Sequence, residues 1–493
     1  MLYYINESWY EILITTIYII NFLSIINLIF REKRNIEATV AWVLVLITLP
    51  PIGCILYLSF GRGISKNNMF KIKESEDKIL KENIVDTQIK LGNNDDFEPD
   101  LIGYKDMIYA LANSNSSNFT TNNDVEIFPD SKDFFESLLE ELKKAKNHIN
   151  IQFYIFKDDE IGNKIIDILI DKAQSGVEVR LLYDAVGSRL FSDKSINKLK
   201  KSGVKVGAFF PSFMKIINFN LNYRNHRKIV VIDGNVGFIG GNNVGDEYLG
   251  KDPKFGYWRD THLKITGDSV KELNIRFILD WRYTTKEYLD LNKYFENEIP
   301  RVYNPNACKN IGIQIVSSGP DSADLDEIKY GYIKMIQKAK KYIYIQTPYF
   351  ILDKTLTDTL KIACFSGVDV RIMIPSKPDH PFVYWASSSY AGELLKYGAK
   401  LYNYDHNAFL HAKTIVVDDC VCSIGTANMD IRSFELNFEI NAFMYSSEVS
   451  KKQKEIFEND ILRSKEITLD MYNSRSRSMK VKESISRLLS PIL

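Results

Sequence analysis

NHRKIVVIDGNVGFIGGNN at residues 225–243 and LHAKTIVVDDCVCSIGTAN at 410–428 share one spelling. In each, Lys follows His by two residues, Asp follows Lys by five, and Asn closes the stretch seventeen residues after the His. The chain has 493 residues but only six His. At ordinary Lys and Asp frequencies, chance would give one HxKxxxxD here about 0.03 times. Two copies with the same Asn offset therefore point to duplication.

The flanking sequence repeats as well. AKNHINIQFYIF (145–156) resembles AKKYIYIQTPYF (339–350), SGVEVRLLYD (175–184) resembles SGVDVRIMIP (366–375), and SGVKVGAFF (202–210) resembles YGAKLYNYD (397–405). Between these β-rich pieces lie helical patterns, IGNKIIDILIDKAQ (161–174) and LDKTLTDTLKIAC (352–364). Strands alternating with helices predict an α/β fold with a parallel or mixed sheet in each half. The expected halves are 125–315 and 316–470, packed face to face about a pseudo-twofold axis. A C-terminal tail, 471–493, follows.

The N-terminal region reads differently. Residues 12–30 and 39–60 are two runs without a charge, each long enough to span a hydrocarbon core as a helix. They predict a transmembrane helical hairpin over 1–63, with Pro50 and Pro51 kinking the second span or making it re-entrant. Basic residues in the turn (Arg31, Lys33, Arg34) and after the second run (Arg62, Lys66, Lys71, Lys73) nearly cancel in the positive-inside rule. Five irregularly spaced Cys favour a cytoplasmic catalytic region and exclude a disulfide framework or a structural zinc site. Residues 64–124 are polar and read as a linker. The formal net charge is zero, without the basic excess of a nucleic-acid-binding protein, so no nucleic-acid partner is expected.

In a strand, residues i and i+2 face the same way. His226 projects with Lys228, and His411 with Lys413, so halves meeting at an axis bring both pairs into one cleft. Lys and Asn side chains, with Asn243 and Asn428 closing the motifs, offer N–H donors for a phosphate and for the charge that builds in its transition state. One neutral imidazole attacks phosphorus, and the other, protonated, donates to the leaving oxygen. One proton shared between the two imidazoles at neutral pH is expected. This chemistry requires no metal and no cofactor. The candidate catalytic set is His226, Lys228, Asp233, His411, Lys413 and Asp418, with Asp233 and Asp418 holding loops more than touching phosphate.

These residues resemble the phospholipase D superfamily, whose signature is HxKxxxxD followed by GSxN. Here the tails are GGNN (240–243) and GTAN (425–428), so Gly241 and Thr426 stand where that signature has Ser. The resemblance implies a phosphohistidine intermediate, with His226 as nucleophile and His411 as general acid/base. It also implies a downstream carboxylate behind each His: Glu439 for His411 and Asp260 for His226, each fixing a tautomer. A narrower resemblance, to the bacterial cardiolipin synthase family, runs nearly the full length through ATVAWVLVLITLPPIGCILYLSFGR, YIFKDDEIG, GGNNVGDEYLG, YWRDTHLKI, QTPYF, GTANMDIRSFELNFEIN and RLLSPIL. It implies transfer of a phosphatidyl group between two phosphatidylglycerol molecules at a membrane, giving cardiolipin and glycerol.

Two other readings stay open on the sequence. One is a phospholipase D-type hydrolase or another phosphatidyltransferase. The other is a non-catalytic scaffold that binds anionic lipid. The aromatic stretches 209–223 and 380–390 precede the motifs and are candidates for a lipid rim, with ordinary packing as the alternative. The basic, then apolar, C-terminal tail suits a membrane contact or a docked end equally. His148, His262, His380 and His406 lack a repeat partner and are expected to be structural.

Overall fold

Ser-Gly-Val at 175–177 and at 366–368 does the same work twice. Gly176 and Gly367 adopt φ of +96° and +82°, which lets each end a helix and turn the chain into a strand. Those helices, Glu160–Gln174 and Lys354–Phe365, start at Asp159 and Asp353, whose side chains accept from the N–H of Gly162 (3.2 Å) and Leu356 (2.8 Å). The first buries Ile161, Ile165, Ile166 and Leu169, one helical stripe, against its sheet.

A computed structural model describes residues 2–30, 36–60, 103–115, 117–211, 223–289, 306–321 and 326–490. The first half forms a seven-stranded sheet in the order Asn123–Phe128, His262–Gly267, Val236–Gly240, Ile229–Ile232, His148–Phe153, Glu178–Asp184, Lys205–Phe209. The second runs Gly312–Ser318, Asn437–Tyr445, Val421–Gly425, Thr414–Val417, Tyr342–Gln346, Asp369–Ile374, Lys400–Asn403, with a short strand added at each edge. The two orders correspond strand for strand. In each sheet the last three of these strands run parallel and the motif strands run antiparallel to them. IVVI at 229–232 and TIVV at 414–417 are buried throughout, as covered strands require.

One hydrophobic cluster takes Ile229, Ile239 and Leu263 from the first half and Leu410, Ile424 and Ile440 from the second. The halves thus share a core. They also exchange strands. Arg224–Asn225 pairs in parallel with Asn437–Phe438, and Ala408–Leu410 pairs in parallel with Tyr257–Arg259. In each case the strand leading into one His lies against the other half. Within the stretch expected to be a linker, residues Lys105–Asn115 are helical and Phe119–Thr120 pairs with Gly312–Ser318. Residues 61–102 lie outside the described residues.

At the N-terminus, α1 (Leu2–Phe30) is long and apolar enough to cross a membrane. The second apolar run is not one helix: it forms α2 (Ile36–Thr48) and α3 (Pro50–Phe60). Pro50 lacks the N–H that would bond the carbonyl of Leu46. The buried Asn21 of α1 fills that gap, donating to Leu46 O (3.1 Å) and Pro50 O (2.9 Å). Such internal satisfaction is what an apolar surrounding demands.

Candidate active site

Each motif strand ends where the halves cross. The backbone N–H of His226 donates to Phe438 O (2.9 Å), and that of His411 donates to Arg259 O (2.7 Å). The residue after each of those carbonyls is an acid, Glu439 or Asp260, so each acid lies against the histidine of the opposite half. His226 Nδ1 lies 2.9 Å from both Glu439 carboxylate oxygens, and His411 Nδ1 lies 2.6 Å from Asp260 Oδ2. This corrects the expected pairing: Glu439 serves His226 and Asp260 serves His411. The strand registers show the equivalence of the two acids. Gly240 pairs with His262 and Gly425 with Asn441, and each acid lies two residues before that partner.

An ionised carboxylate accepts, so each Nδ1 carries the hydrogen and each Nε2 keeps its lone pair. Both imidazoles line one cleft of about 410 Å³, together with Asn243 and Asn428. Burial, against attraction from Glu439, draws the His226 pKa down to about 4. Burial and then Lys413 draw His411 to about 4 against Asp260. Both shifts favour the neutral form of each ring. Burial is the main cause, and the nearby Lys228 and Lys413 add to it against the two carboxylates. An anion in the cleft reverses that balance.

Lys228 and Lys413 sit behind the imidazoles and do not line the cleft. Lys228 Nζ donates to His226 O (2.7 Å). Lys413 Nζ donates to His411 O and lies 2.9 Å from His411 Nδ1. Burial lowers the two pKa values to about 7 and about 8, with Glu439 and Asp260 pulling the other way. Burial raises both carboxyls, but the facing histidine and lysine charges outweigh it and hold Asp260 and Glu439 below their usual range.

The halves differ at the position after the first motif Gly. Thr426 Oγ1 donates to Glu439 Oε2 (2.6 Å), and Asn437 donates to Glu439 Oε1 (3.1 Å). Gly241 leaves no room for a side chain: a Cβ there would meet Asp260 Oδ1 at 1.9 Å. Asp260 is instead held by the N–H of Thr261 (2.8 Å). Asn243 accepts from the N–H of Ile155 (3.0 Å) and donates to the Tyr248 hydroxyl (2.9 Å).

Asp233 and Asp418 are not in the cleft. Each sits in a turn at positive φ, +54° and +56°. Asp233 accepts from the N–H groups of Lys146, Asn147 and His148, and Asp418 from those of Lys340, Lys341 and Tyr342. They tie the motif strand to the neighbouring strand.

Several functional groups carried no sequence signal. Arg227, between His226 and Lys228, is buried and donates to Asp280 (2.8 Å), Ser318 O (3.0 Å) and Glu439 O (3.0 Å), so it fixes the strand that carries Glu439. Arg259 is held by Asp460, which leaves Asp260 to His411. Tyr154 meets His226 edge-on, ring centroids 4.9 Å apart. Arg224, Arg432, Asp379, Asp430 and His380 line the cleft. Of the aromatic stretches, 212–222 lies outside the described residues. In the other, Val383 joins His380 in the wall. Among the described residues, no three His, Cys, Asp or Glu groups come together as a metal site.

The C-terminal helix Arg477–Leu489 packs on the helix Pro381–Leu394, with Arg487 paired to Glu393 and Tyr390 Oη 2.9 Å from Ser490 Oγ. A groove of about 710 Å³ runs between this end and α2, lined by Val40, Leu44, Lys361 and Leu488. Ile431 and Ser490 border both the groove and the catalytic cleft.

With this geometry established, the relatives can be placed. A family model for the cardiolipin synthase, phospholipase D-like domain matches residues 138–254 and 332–461, and a phospholipase D-nuclease N-terminal model matches 19–62. The major cardiolipin synthase of Bacillus subtilis is 49% identical over 490 residues, 98% of this chain and 99% of that one. The chain belongs to the cardiolipin synthase family. A cardiolipin synthase of Staphylococcus aureus is 49% identical over 480 residues, 97% of this chain and 95% of that one. The fold is shared with the crystal structure of phosphatidylserine synthase from Haemophilus influenzae, at 16% identity and a TM-score of 0.59, over 79% of this chain and all of that one. As a member of this family the chain is a phosphatidyltransferase that works on membrane phospholipid.

Proposed function

We propose that this cardiolipin synthase uses phosphatidylglycerol as both donor and acceptor. His226 Nε2 attacks the donor phosphorus. The P–O bond to glycerol breaks, and a protonated His411 supplies the leaving oxygen with its proton. His411, now neutral, takes the proton from the headgroup hydroxyl of a second phosphatidylglycerol, whose oxygen displaces His226 from phosphorus. Cardiolipin leaves, and the proton count is restored. The observation that carries this reading is the crossed pair: two imidazoles in one cleft, each held at Nδ1 by an acid of the other half. Glu439 and Asp260 stabilise each ring as positive charge develops on it.

The phosphate anion of the substrate opposes the burial that lowers the histidine pKa values, which lets one ring hold the proton the first step requires. Lys228 and Lys413 offset the charge of the pentacoordinate phosphorus from behind the rings, and Asn243 and Asn428 face it from the cleft wall. The N-terminal helices anchor the catalytic halves at the membrane as two spans, with the catalytic region on the cytoplasmic side. The five Cys, none in a disulfide among the described residues, support that side. The groove beside α2 supports lipid entry, because its apolar wall joins the anchor to the cleft.

Purified protein given phosphatidylglycerol as the sole lipid should yield cardiolipin and free glycerol in equal amounts by mass spectrometry. Phosphatidic acid as the main product would overturn the reading.

A further inference from the structure

Both steps of the transfer put a glycerol in the same place. In the first, glycerol leaves phosphorus opposite His226. In the second, the headgroup glycerol of another phosphatidylglycerol approaches from that side, because each displacement is in line. The leaving and the attacking glycerol share one free group, the middle hydroxyl, which is bonded to phosphorus in neither. Holding it takes a hydrogen-bond acceptor on the His411 side of the cleft.

Two acids line the cleft among the described residues, Asp379 and Asp430. Both come from the second half, with His411. Asp430 is buried and caps the short helix Ile431–Glu435, accepting from Ser433 N–H (2.6 Å). Asp379 is only half-buried and stands just before the helix Pro381–Leu394. Its Oδ1 accepts from the N–H of His380 (2.7 Å), and its Oδ2 takes the Tyr349 hydroxyl. Burial first, then Asp379, raises the Tyr349 pKa, so that hydroxyl keeps its proton and fixes the carboxylate in the cleft wall. Among the described residues these two are its hydrogen-bond donors, and no Lys or Arg forms an ion pair with it. A carboxylate oxygen has two acceptor sites, so each oxygen of Asp379 keeps one open.

Asp379 also acts on the reacting centre. Burial lowers the Lys413 pKa, and Asp260, Glu439, Asp379 and Asp430 pull it back up. Lys413 lies 2.9 Å from His411 Nδ1, which puts Asp379 on the side where the alcohol leaves and enters. A carboxylate facing a phosphate site is unfavourable by charge alone. A helix N-terminus offsets part of that cost, but it would do so equally for an acid turned away from the cleft. An alcohol compensates directly, because O–H···O⁻ bonds are short and strong. An ionised phosphodiester has no such donor to offer.

We propose that Asp379, oriented by Tyr349, is a specificity-determining residue that accepts a hydrogen bond from the middle hydroxyl of the glycerol headgroup, in the leaving glycerol and in the attacking lipid alike. The contact aims the primary hydroxyl at His411 and phosphorus. In the second step the oxygen of that primary hydroxyl forms the O–P bond, the N–P bond to His226 breaks, and the proton passes to His411. The middle hydroxyl changes no covalent bond. This rests on the donor–acceptor reading above.

The test gives full-length protein in phosphatidylglycerol vesicles two competing acceptors, isotope-labelled glycerol and 1,3-propanediol, which lacks only the middle hydroxyl. Both products form through the same donor step, and mass spectrometry counts them together. Wild-type protein should favour glycerol about tenfold or more. Asp379→Asn keeps the shape and an acceptor for Tyr349, and its preference should fall about fivefold or more. In Asp379→Ala the preference should disappear. Tyr349→Phe leaves the carboxylate but frees it, so the preference should fall in part; this variant guards against an alanine variant that does not fold. A misfolded fraction lowers both products and leaves their ratio alone. A ratio within twofold of wild type in the Asp379 variants, or no preference in the wild type, would overturn the headgroup contact and leave the donor–acceptor reading intact. Wild-type protein that makes no cardiolipin from phosphatidylglycerol would overturn that reading itself, and this proposal with it.

Discussion

Glu439→Gln tests the crossed pairing. The substitution keeps the shape of the side chain and an acceptor oxygen, but removes the charge 2.9 Å from His226 Nδ1. The partners Thr426 and Asn437 can still bond an amide, so the fold should persist. A hydrogen bond to a charged group contributes about 1.5–3 kcal/mol. At 1.36 kcal/mol per tenfold, cardiolipin synthesis should slow about 10- to 150-fold. The site of the effect is the sharper readout. With six His in the chain, 15N-histidine NMR can separate His226 from His411 once each is assigned by substitution. Glu439 is the strongest influence raising the His226 pKa, so its loss should lower that pKa further, and His226 should move while His411 stays. Asp260→Asn should do the reverse. If Glu439→Gln moves His411 and leaves His226 in place, the crossed geometry is wrong.

Three further outcomes follow from the same distances. The pH profile of kcat/KM, which reports the free enzyme, should fall with rising pH above the lowered histidine values of about 4, because the first step needs one proton on the pair, and fall more steeply through 7–8 as Lys228 and Lys413 lose protons; a histidine limb at the ordinary value, 6.5, would contradict the burial argument. Gly241→Ala places a Cβ on Asp260 and must push that carboxylate off His411, so turnover should fall about 100-fold for a displacement near 1 Å, measured beside an unchanged far-UV CD spectrum. Asp418→Ala strips three backbone N–H groups of their acceptor and should lower unfolding stability by roughly 1–3 kcal/mol in denaturant titration; its turnover should fall far less than that of Lys413→Ala.

The duplicated motif made the two halves and the six His/Lys/Asn site residues legible in the sequence, and the family resemblance implied both acids. Strand alternation predicted that His226 and Lys228, or His411 and Lys413, project together, but residues 226–228 and 411–413 precede their strands and the lysines lie behind the imidazoles. The pairing of acid to histidine was not legible, because sequence proximity misleads there. Glu439 follows His411 by 28 residues, yet the parallel pairing of Arg224–Asn225 with Asn437–Phe438 delivers it to His226. Such an exchange depends on how the halves meet, and no local pattern records it. Arg227, Arg224 and Arg432 were missed for a related reason: a lone Arg reads as a solvated charge until its partners from distant segments are placed. The Pro50 break was visible, but its repair by Asn21, 29 residues away, needed the packed helices.

The central claim is one active site written in two halves. It is tested most directly by counting the covalent intermediate. Wild-type protein mixed with phosphatidylglycerol labelled in its phosphate, stopped within a turnover, and mapped by mass spectrometry should carry at most one phosphatidyl group per chain, and it should be on His226. Label on both His226 and His411 of the same chain, approaching two per chain, would mean two independent sites and would contradict the account.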